Sequence, residues 1–361
     1  MSDANELISF IASMSGEGNL RVEENLGEGY VRLRVSEAER RQAKHDIQHV
    51  EDIVIEMLRN ARDAGADKVY LATTKEDGVR TLVFLDNGSG VPQDMQERIF
   101  DARVTSKLES MKMDRWGVHG RGMALFSIKQ NTDEARVVAS DVDLGSVFKV
   151  SVATDRLGER ADQSSWPQAV KDEDGHYVCA RGPHNIIRAA CEFALEELRA
   201  CDVYLGSPSE IAATLHAQAS SCLDASRLLF IDDEAELPVV DRLGLASDAE
   251  DFIRICSGLG LEMSERTAHR ILAGQIKPVR GVTARLLRER DSSSHASAPV
   301  DLAKDRRGLR IAKDDMAQFS RAVERDFNDL ASRYYLNLCG DPKIRVSRDR
   351  ITVTFDLAKE E

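Results

Sequence analysis

The chain has 361 residues, 31% charged and 42% hydrophobic, with a formal net charge of −13. That length gives two or three domains with a sizeable core, and the composition excludes wholesale disorder. No apolar run approaches the ~20 residues of a membrane span. The acidic balance excludes whole-surface attraction to nucleic acid or anionic membrane.

The opening residues lack the basic and apolar regions of a signal peptide. The six cysteines (Cys179, Cys191, Cys201, Cys222, Cys256, Cys339) form no C-x-x-C pair. This argues against a zinc ribbon or a disulfide scaffold and leads to the expectation of a cytoplasmic protein. Leu20 to Val35 alternates apolar and polar residues around Gly27-Glu28-Gly29, a hairpin pattern. A helical apolar pattern runs from about Ala43 to Ala64 and ends at Gly65. Val69–Thr74 and Thr81–Asp86 read as strands joined through Asp77-Gly78, and Ala135–Val142 and Ser146–Thr154 as a second pair joined around Leu144-Gly145. Arg156 to Asp174 is polar apart from Trp166, a linker or a surface loop.

Further on, Asn185–Ala200 reads as a helix, Asp202–Leu205 as a short strand, and Ser207-Pro208-Ser209-Glu210 as the capped start of another helix. Asp251–Arg290 reads as short helices, and Asp291–Pro299 as a flexible linker. The tail predicts a long helix at about Lys313–Leu338 and a hairpin at Lys343–Leu357. Phe319, Val323, Phe327 and Leu330 recur on that helix at spacings of three and four, a packing or dimer surface. The expected division is 1–155, 156–250, 251–291 and 300–361.

Glu51 to Ala64 contains E-x-x-x-N-x-x-D-A. With Glu56 at zero on a helical wheel, Asn60 falls at about 40° and Asp63 at about −20°. Val50, Ile53, Val54, Met57, Leu58 and Ala61 fall between about 60° and 200°. The three polar groups therefore share one face beside the apolar stripe, where a helix packed on a sheet aims them into a neighbouring cleft. After the strand ending at Asp86 comes Asp86-Asn87-Gly88-Ser89-Gly90, and further on Gly117-Val118-His119-Gly120-Arg121-Gly122 precedes an apolar helix start. Glycines let the backbone come close to a ligand, and N–H groups at a helix start hold phosphate.

In this order the three segments resemble the N box and the two glycine boxes of the GHKL ATPases. This superfamily comprises gyrase B subunits, the large heat-shock chaperone, histidine kinases and MutL-type proteins. The resemblance covers roughly residues 43–155. It implies an α+β fold, the Bergerat-fold two-layer α/β sandwich, here followed by a mostly helical C-terminal region. It implies ATP and Mg²⁺ as ligands. By resemblance, Glu56 is the general base, Asn60 the Mg²⁺ ligand, Asp63 a supporting residue, and Asp86 the acceptor for the adenine amino group. Gly88 and Gly90 let the backbone pass the base. Gly117, Gly120 and Gly122 form the phosphate-binding lid. Gly145-Ser146 stands where the family has Gly-Thr, and Ser146 keeps the hydroxyl at the adenine site.

Asp101 to Lys107 is similar to the Ala-Thr-Ser-Lys segment of MutL-type proteins and, more loosely, to the Gly-Ser-Lys segment of archaeal-type topoisomerase B subunits. The lid is similar to that of MutL with two residues inserted, a shift toward the topoisomerase pattern. Lys107 reads either as a phosphate neighbour or as a solvated lysine. His119 and Arg121 read as lid charges for phosphate oxygens or as exposed polar residues. The implied function is Mg²⁺-dependent ATP binding and slow hydrolysis, coupled to a conformational switch or closure of a homodimer. One alternative is a nucleotide-sensing DNA-binding regulator without turnover. Another is histidine-kinase-like phosphotransfer, for which no separate helical hairpin carries an acceptor histidine.

Phe252–Gly258, Leu259–Met263 and Ser264–Ala273 have the cadence of a helix-turn-helix. Between Ser264 and Arg290, Arg266, Arg270, Lys277, Arg280, Arg285, Arg288 and Arg290 face only Glu265 and Glu289, a local charge of +5. The segment reads either as a DNA contact through residues 264–290 or as an ordinary helical hairpin with a solvated basic face.

Overall fold

The computed structural model describes residues 22–106, 112–119, 122–198, 200–222 and 233–287, and parts of 316–359. It divides into two compact units, 1–292 and 293–361. Among the described residues the N-terminal unit opens with strands β1 (Val22–Gly27) and β2 (Tyr30–Leu33), and β2 also pairs with the short β5 (Val104–Thr105). The β1–β2 turn uses Glu28 and Gly29 at positive φ, as the hairpin pattern predicts.

Two helices follow, α1 (Glu37–Asp46) and α2 (Val50–Asp63). The single helix expected from Ala43 to Ala64 is therefore broken at Ile47–His49. The break has a local cause. The Asp52 carboxylate accepts the N–H groups of Gln48 and His49, which fixes a new helix start. The Arg160 guanidinium also sits on Asp52.

The main sheet runs in the order β12-β3-β4-β9-β8. Its strands are β3 (Lys68–Glu76), β4 (Val79–Asp86), β8 (Glu134–Ser140), β9 (Ser146–Ala153) and β12 (Asp202–Gly206). β12 lies parallel to β3 and the other neighbours are antiparallel. Alternation along the strands divides the core between the two faces. Leu71, Leu82, Phe84, Phe148 and Val150 meet the apolar stripe of α2 and of α4 (Ile186–Glu196). Tyr70, Val83, Leu85 and Val147 meet helices α5 (Pro208–Cys222), α6 (Ala249–Gly258) and α7 (Glu265–Leu272). The helix α3 (Ala124–Asn131) follows the small hairpin β6 (Lys112–Asp114) and β7 (Gly117–His119).

The α+β arrangement is as expected, with one addition. Helices from the C-terminal half cover the face of the sheet opposite α2, so the sheet lies between two helical layers. The expected divisions at 155/156 and 250/251 do not separate compact units, because β12, α5, α6 and α7 bury apolar residues against the same sheet. The polar stretch from Arg156 is a docked loop. The buried Glu51 carboxylate accepts from the Arg160 N–H and the Gln163 amide. Its end forms β10 (Gln168–Lys171), paired with β11 (Tyr177–Arg181).

In the unit 293–361, Phe327 lies in a helical stretch and stacks on Phe355 at 3.9 Å. Leu336–Leu338 is strand β13, paired with β16 (Leu357–Lys359), so the expected tail helix stops short of Leu338. A cross-strand partner satisfies backbone groups that the helical reading assigned locally. β14 (Lys343–Val346) and β15 (Ile351–Thr354) pair as the hairpin pattern predicts. The expected linker Asp291–Pro299 lies outside the described residues. No helix among the described residues is long and apolar enough to cross a membrane.

The turn into β9 positions one wall of the site. Gly145 has φ +77°, and a β-carbon there would lie 2.1 Å from the Asp86 carbonyl oxygen. Gly145→Ala is expected to destabilise the protein by at least about 1–3 kcal/mol from backbone strain alone. A shift in the urea midpoint checks this, and an unchanged midpoint contradicts it.

Candidate functional site

Helix α2 brings its polar strip to the rim of a cavity of about 490 Å³. Glu56, Asn60 and Asp63 line it from α2, Asp86 and Ser146 from the ends of β4 and β9, and Gly90 and Gly122 from the two glycine segments. Residues up to 90 positions apart in the chain thus line one cavity. Gly88 sits behind that wall, where a β-carbon would lie 2.8 Å from the Ala64 carbonyl oxygen. Gly117 and His119 stand in β7. Lys107, Gly120 and Arg121 lie outside the described residues.

Asp86 is 4% exposed. Antiparallel register sets it opposite Ser146. Its carboxylate accepts the Ser146 hydroxyl at 2.5 Å and the Gly88 N–H at 2.9 Å. Both bonds orient a buried acceptor at the cavity wall.

Two polar atoms at the cavity have no hydrogen-bond partner among the described residues, the Asn60 amide nitrogen and the Ser127 hydroxyl. Buried polar groups are nearly always paired, so an unpaired one beside a cavity marks a place for a polar ligand. The Asn60 carboxamide also offers a hard oxygen of the kind that suits Mg²⁺.

An ionic cluster escaped the sequence reading. The wheel puts Arg59 at about −60°, on the polar side of α2, yet its side chain is only 3% exposed. Its guanidinium donates to Glu56 at 2.7 Å and forks onto Asp114 with two bonds of 2.9 Å. Arg62 donates to Asp63, Asp114 and Glu197, each at 3.1 Å. Burial works against the Arg62 charge, but these carboxylates outweigh it and raise its pKa. Asp114 also accepts the Trp116 N–H at 3.1 Å, and Trp116 stacks on Phe193 of α4. The polar face of α2 is thereby tied to the hairpin β6–β7. No spacing rule links Arg59 to a residue 55 positions away.

Tyr30 and Ser106 also line the cavity unannounced. Burial pushes the Tyr30 phenol up, against a hydrogen bond from Ser106, and the nearby Asp94 charge adds to the rise.

A family model described as "Histidine kinase-, DNA gyrase B-, and HSP90-like ATPase" matches residues 47–140. This span contains α2, β3, β4, both glycine segments and α3. The chain carries a GHKL-type ATPase domain. Among curated proteins, the DNA mismatch repair protein MutL of Staphylococcus aureus strain Newman is 28% identical over 136 residues, 35% of this chain and 20% of the relative. The MutL proteins of strains JH1 and N315 match to the same extent. The match thus spans about a fifth of the length of these relatives. In the GHKL domain seen here, the cavity lies between α2 and the ends of β4 and β9, and Gly122, Met123 and Ala124 border it where the second glycine segment runs into α3.

Proposed function

We propose that the GHKL domain binds ATP together with Mg²⁺, hydrolyses it slowly, and uses the bound nucleotide to switch conformation through closure of a homodimer. The observation that carries this reading is the convergence of Glu56, Asn60 and Asp86 on one cavity. Asp86, oriented by Ser146 and Gly88, accepts a hydrogen bond from the adenine amino group. Apolar side chains of Met57, Ile99 and Phe148 line the same cavity and suit a flat base. Asn60 would hold Mg²⁺ by its carboxamide oxygen, and the ion, when bound, supplies neutralisation of polyphosphate charge. Glu56 takes the proton from the attacking water, while its bond to Arg59 fixes the carboxylate's direction. Asp63, held by Arg62, supports the same wall. Gly117, Gly120 and Gly122 cover the phosphates as a lid, and Lys107, His119 and Arg121 supply charge to it. Phosphoryl transfer to water needs positioning and charge stabilisation more than covalent chemistry, and this residue set supplies both.

The test is phosphate release by wild type and Glu56→Gln. Turnover is expected to fall by about 10²–10⁴, the usual worth of a general base, with nucleotide affinity retained. Equal rates would remove Glu56 from the chemistry. Solution mass with and without a non-hydrolysable ATP analogue tests the switch, and an unchanged monomer would exclude dimer closure.

A further inference from the structure

From Ser264 to Arg280, α7 and the loop after it set Arg266, Arg270, Lys277 and Arg280 against the one carboxylate of Glu265, on a chain of net −13. The construction of the α6–turn–α7 segment is specific. α6 is capped at Leu259, Gly260 takes φ +69°, and the Leu261 N–H returns to the Cys256 carbonyl at 2.8 Å. Ser264 then caps α7 by accepting the Thr267 N–H. Phe252, Ile255, Leu261, Ala268 and Ile271 are buried in a shared core, so the two helices hold a fixed angle. This is helix, glycine-containing turn, helix, with the second helix presented outward.

With Ala268 at zero on the α7 wheel, Ile271 falls at about −60°. Arg266, His269 and Arg270 fall between about 100° and 200°. All three are exposed. The following loop folds back on α7. The N–H groups of Gln275 and Ile276 both donate to the Arg270 carbonyl, and the Val279 N–H donates to the Thr214 hydroxyl. Exposed Lys277 and Arg280 are thereby held at the C-terminal end of α7. Arg266, Arg270, Lys277 and Arg280 have no carboxylate within 4.0 Å among the described residues, and the one close acid on α7 is Glu265, 3.7 Å from His269. Arg285 differs. Its guanidinium lies 3.9 Å over the Trp166 ring and packs the docked loop. Arg288 and Arg290 lie outside the described residues.

We propose that this face binds double-stranded DNA, with α7 entering the major groove and Lys277 and Arg280 on the adjoining phosphates. A helix with Arg266 and Arg270 exposed on its outer face fits the width of the B-form major groove, whereas the major groove of duplex RNA is too narrow. The proposal does not depend on ATP turnover.

The experiment measures binding of the full-length protein to random-sequence duplex DNA by fluorescence anisotropy. Wild type is expected to bind at about 50 mM salt and to weaken steeply by about 200 mM. Arg266→Gln/Arg270→Gln is expected to lose at least about tenfold in affinity and about two units of the log–log salt slope. Arg136→Gln/Arg156→Gln removes equal charge from exposed positions elsewhere and is expected to change affinity less than about twofold. Both pairs are exposed, so folding is retained. No binding at low salt, equal weakening by the two double variants, or equal competition by duplex RNA would each overturn the proposal.

Discussion

Asp114→Ala is expected to destabilise the N-terminal unit by about 1–3 kcal/mol, the usual cost of leaving buried donors without their acceptor. Asp114 is 6% exposed and takes three hydrogen bonds from Arg59 and Arg62, which are 3% and 9% exposed. Arg59 keeps its bond to Glu56, and Arg62 those to Asp63 and Glu197, so the loss falls on the donors that Asp114 held. The Trp116 N–H loses its acceptor as well. A second consequence separates this cluster from a purely structural one. Arg59 freed from Asp114 no longer holds Glu56 in one direction, so turnover of whatever protein remains folded falls with the stability. Urea unfolding measures the first effect and phosphate release the second. Arg59→Met combined with Asp114→Ala removes both charges and is expected to be less destabilising than the sum of the single changes. A loss below about 1 kcal/mol in Asp114→Ala would mean that the cluster is solvated.

Asp86→Ala is expected to weaken ATP binding by on the order of 10–100-fold, the worth of a hydrogen bond to a charged group. Preference for adenine over guanine nucleotides is expected to vanish with it. The variant also leaves the Ser146 hydroxyl and the Gly88 N–H without their acceptor, at about 1–3 kcal/mol for a buried group. Titration of ATP and GTP into the folded variant separates the two effects, since a melting curve reports stability independently. Unchanged ATP affinity in a folded Asp86→Ala protein would move the base-recognition site elsewhere.

The two variants differ in how far they were legible beforehand. Asp86 stands in a D-x-G-x-G run after a strand, so its candidacy needed only local chemistry. Its orientation needed Ser146, which register brings opposite it from 60 positions away. Arg59 sits beside Glu56 and Asn60 on the same helix, yet no local pattern singles it out. Its burial comes from Asp114, a partner without a local signal. The apolar stripe of α2 was legible residue by residue, because Val50, Ile53, Val54, Met57, Leu58 and Ala61 are all buried as the wheel predicts.

Errors fell where a distant partner overrides local preference. For the polar stretch after Arg156, read as a linker or a surface loop, the pairing of Glu51 with the Gln163 amide decides for a docked loop. Leu336–Leu338 continued a helical pattern until β16 offered it a strand partner. The break at Ile47–His49 was the opposite case, a local capping carboxylate three residues from His49 hidden inside a continuous apolar rhythm.

By itself, the sequence determined local elements and the candidate residues they carry. These are the amphipathic α2 with Glu56, Asn60 and Asp63 on one edge, the glycine turns, the GHKL domain and the cadence of α6 and α7. Each depends on residues a few positions apart, where periodicity and turn preference act directly. Only the tertiary structure decided that β12 and the C-terminal helices pack into one sheet-centred core, that Arg59 and Asp114 are buried together, and that Arg285 packs on Trp166 while Arg266 and Arg270 are exposed. Those outcomes depend on which surfaces exclude water from one another, and that is settled when segments far apart in the chain meet.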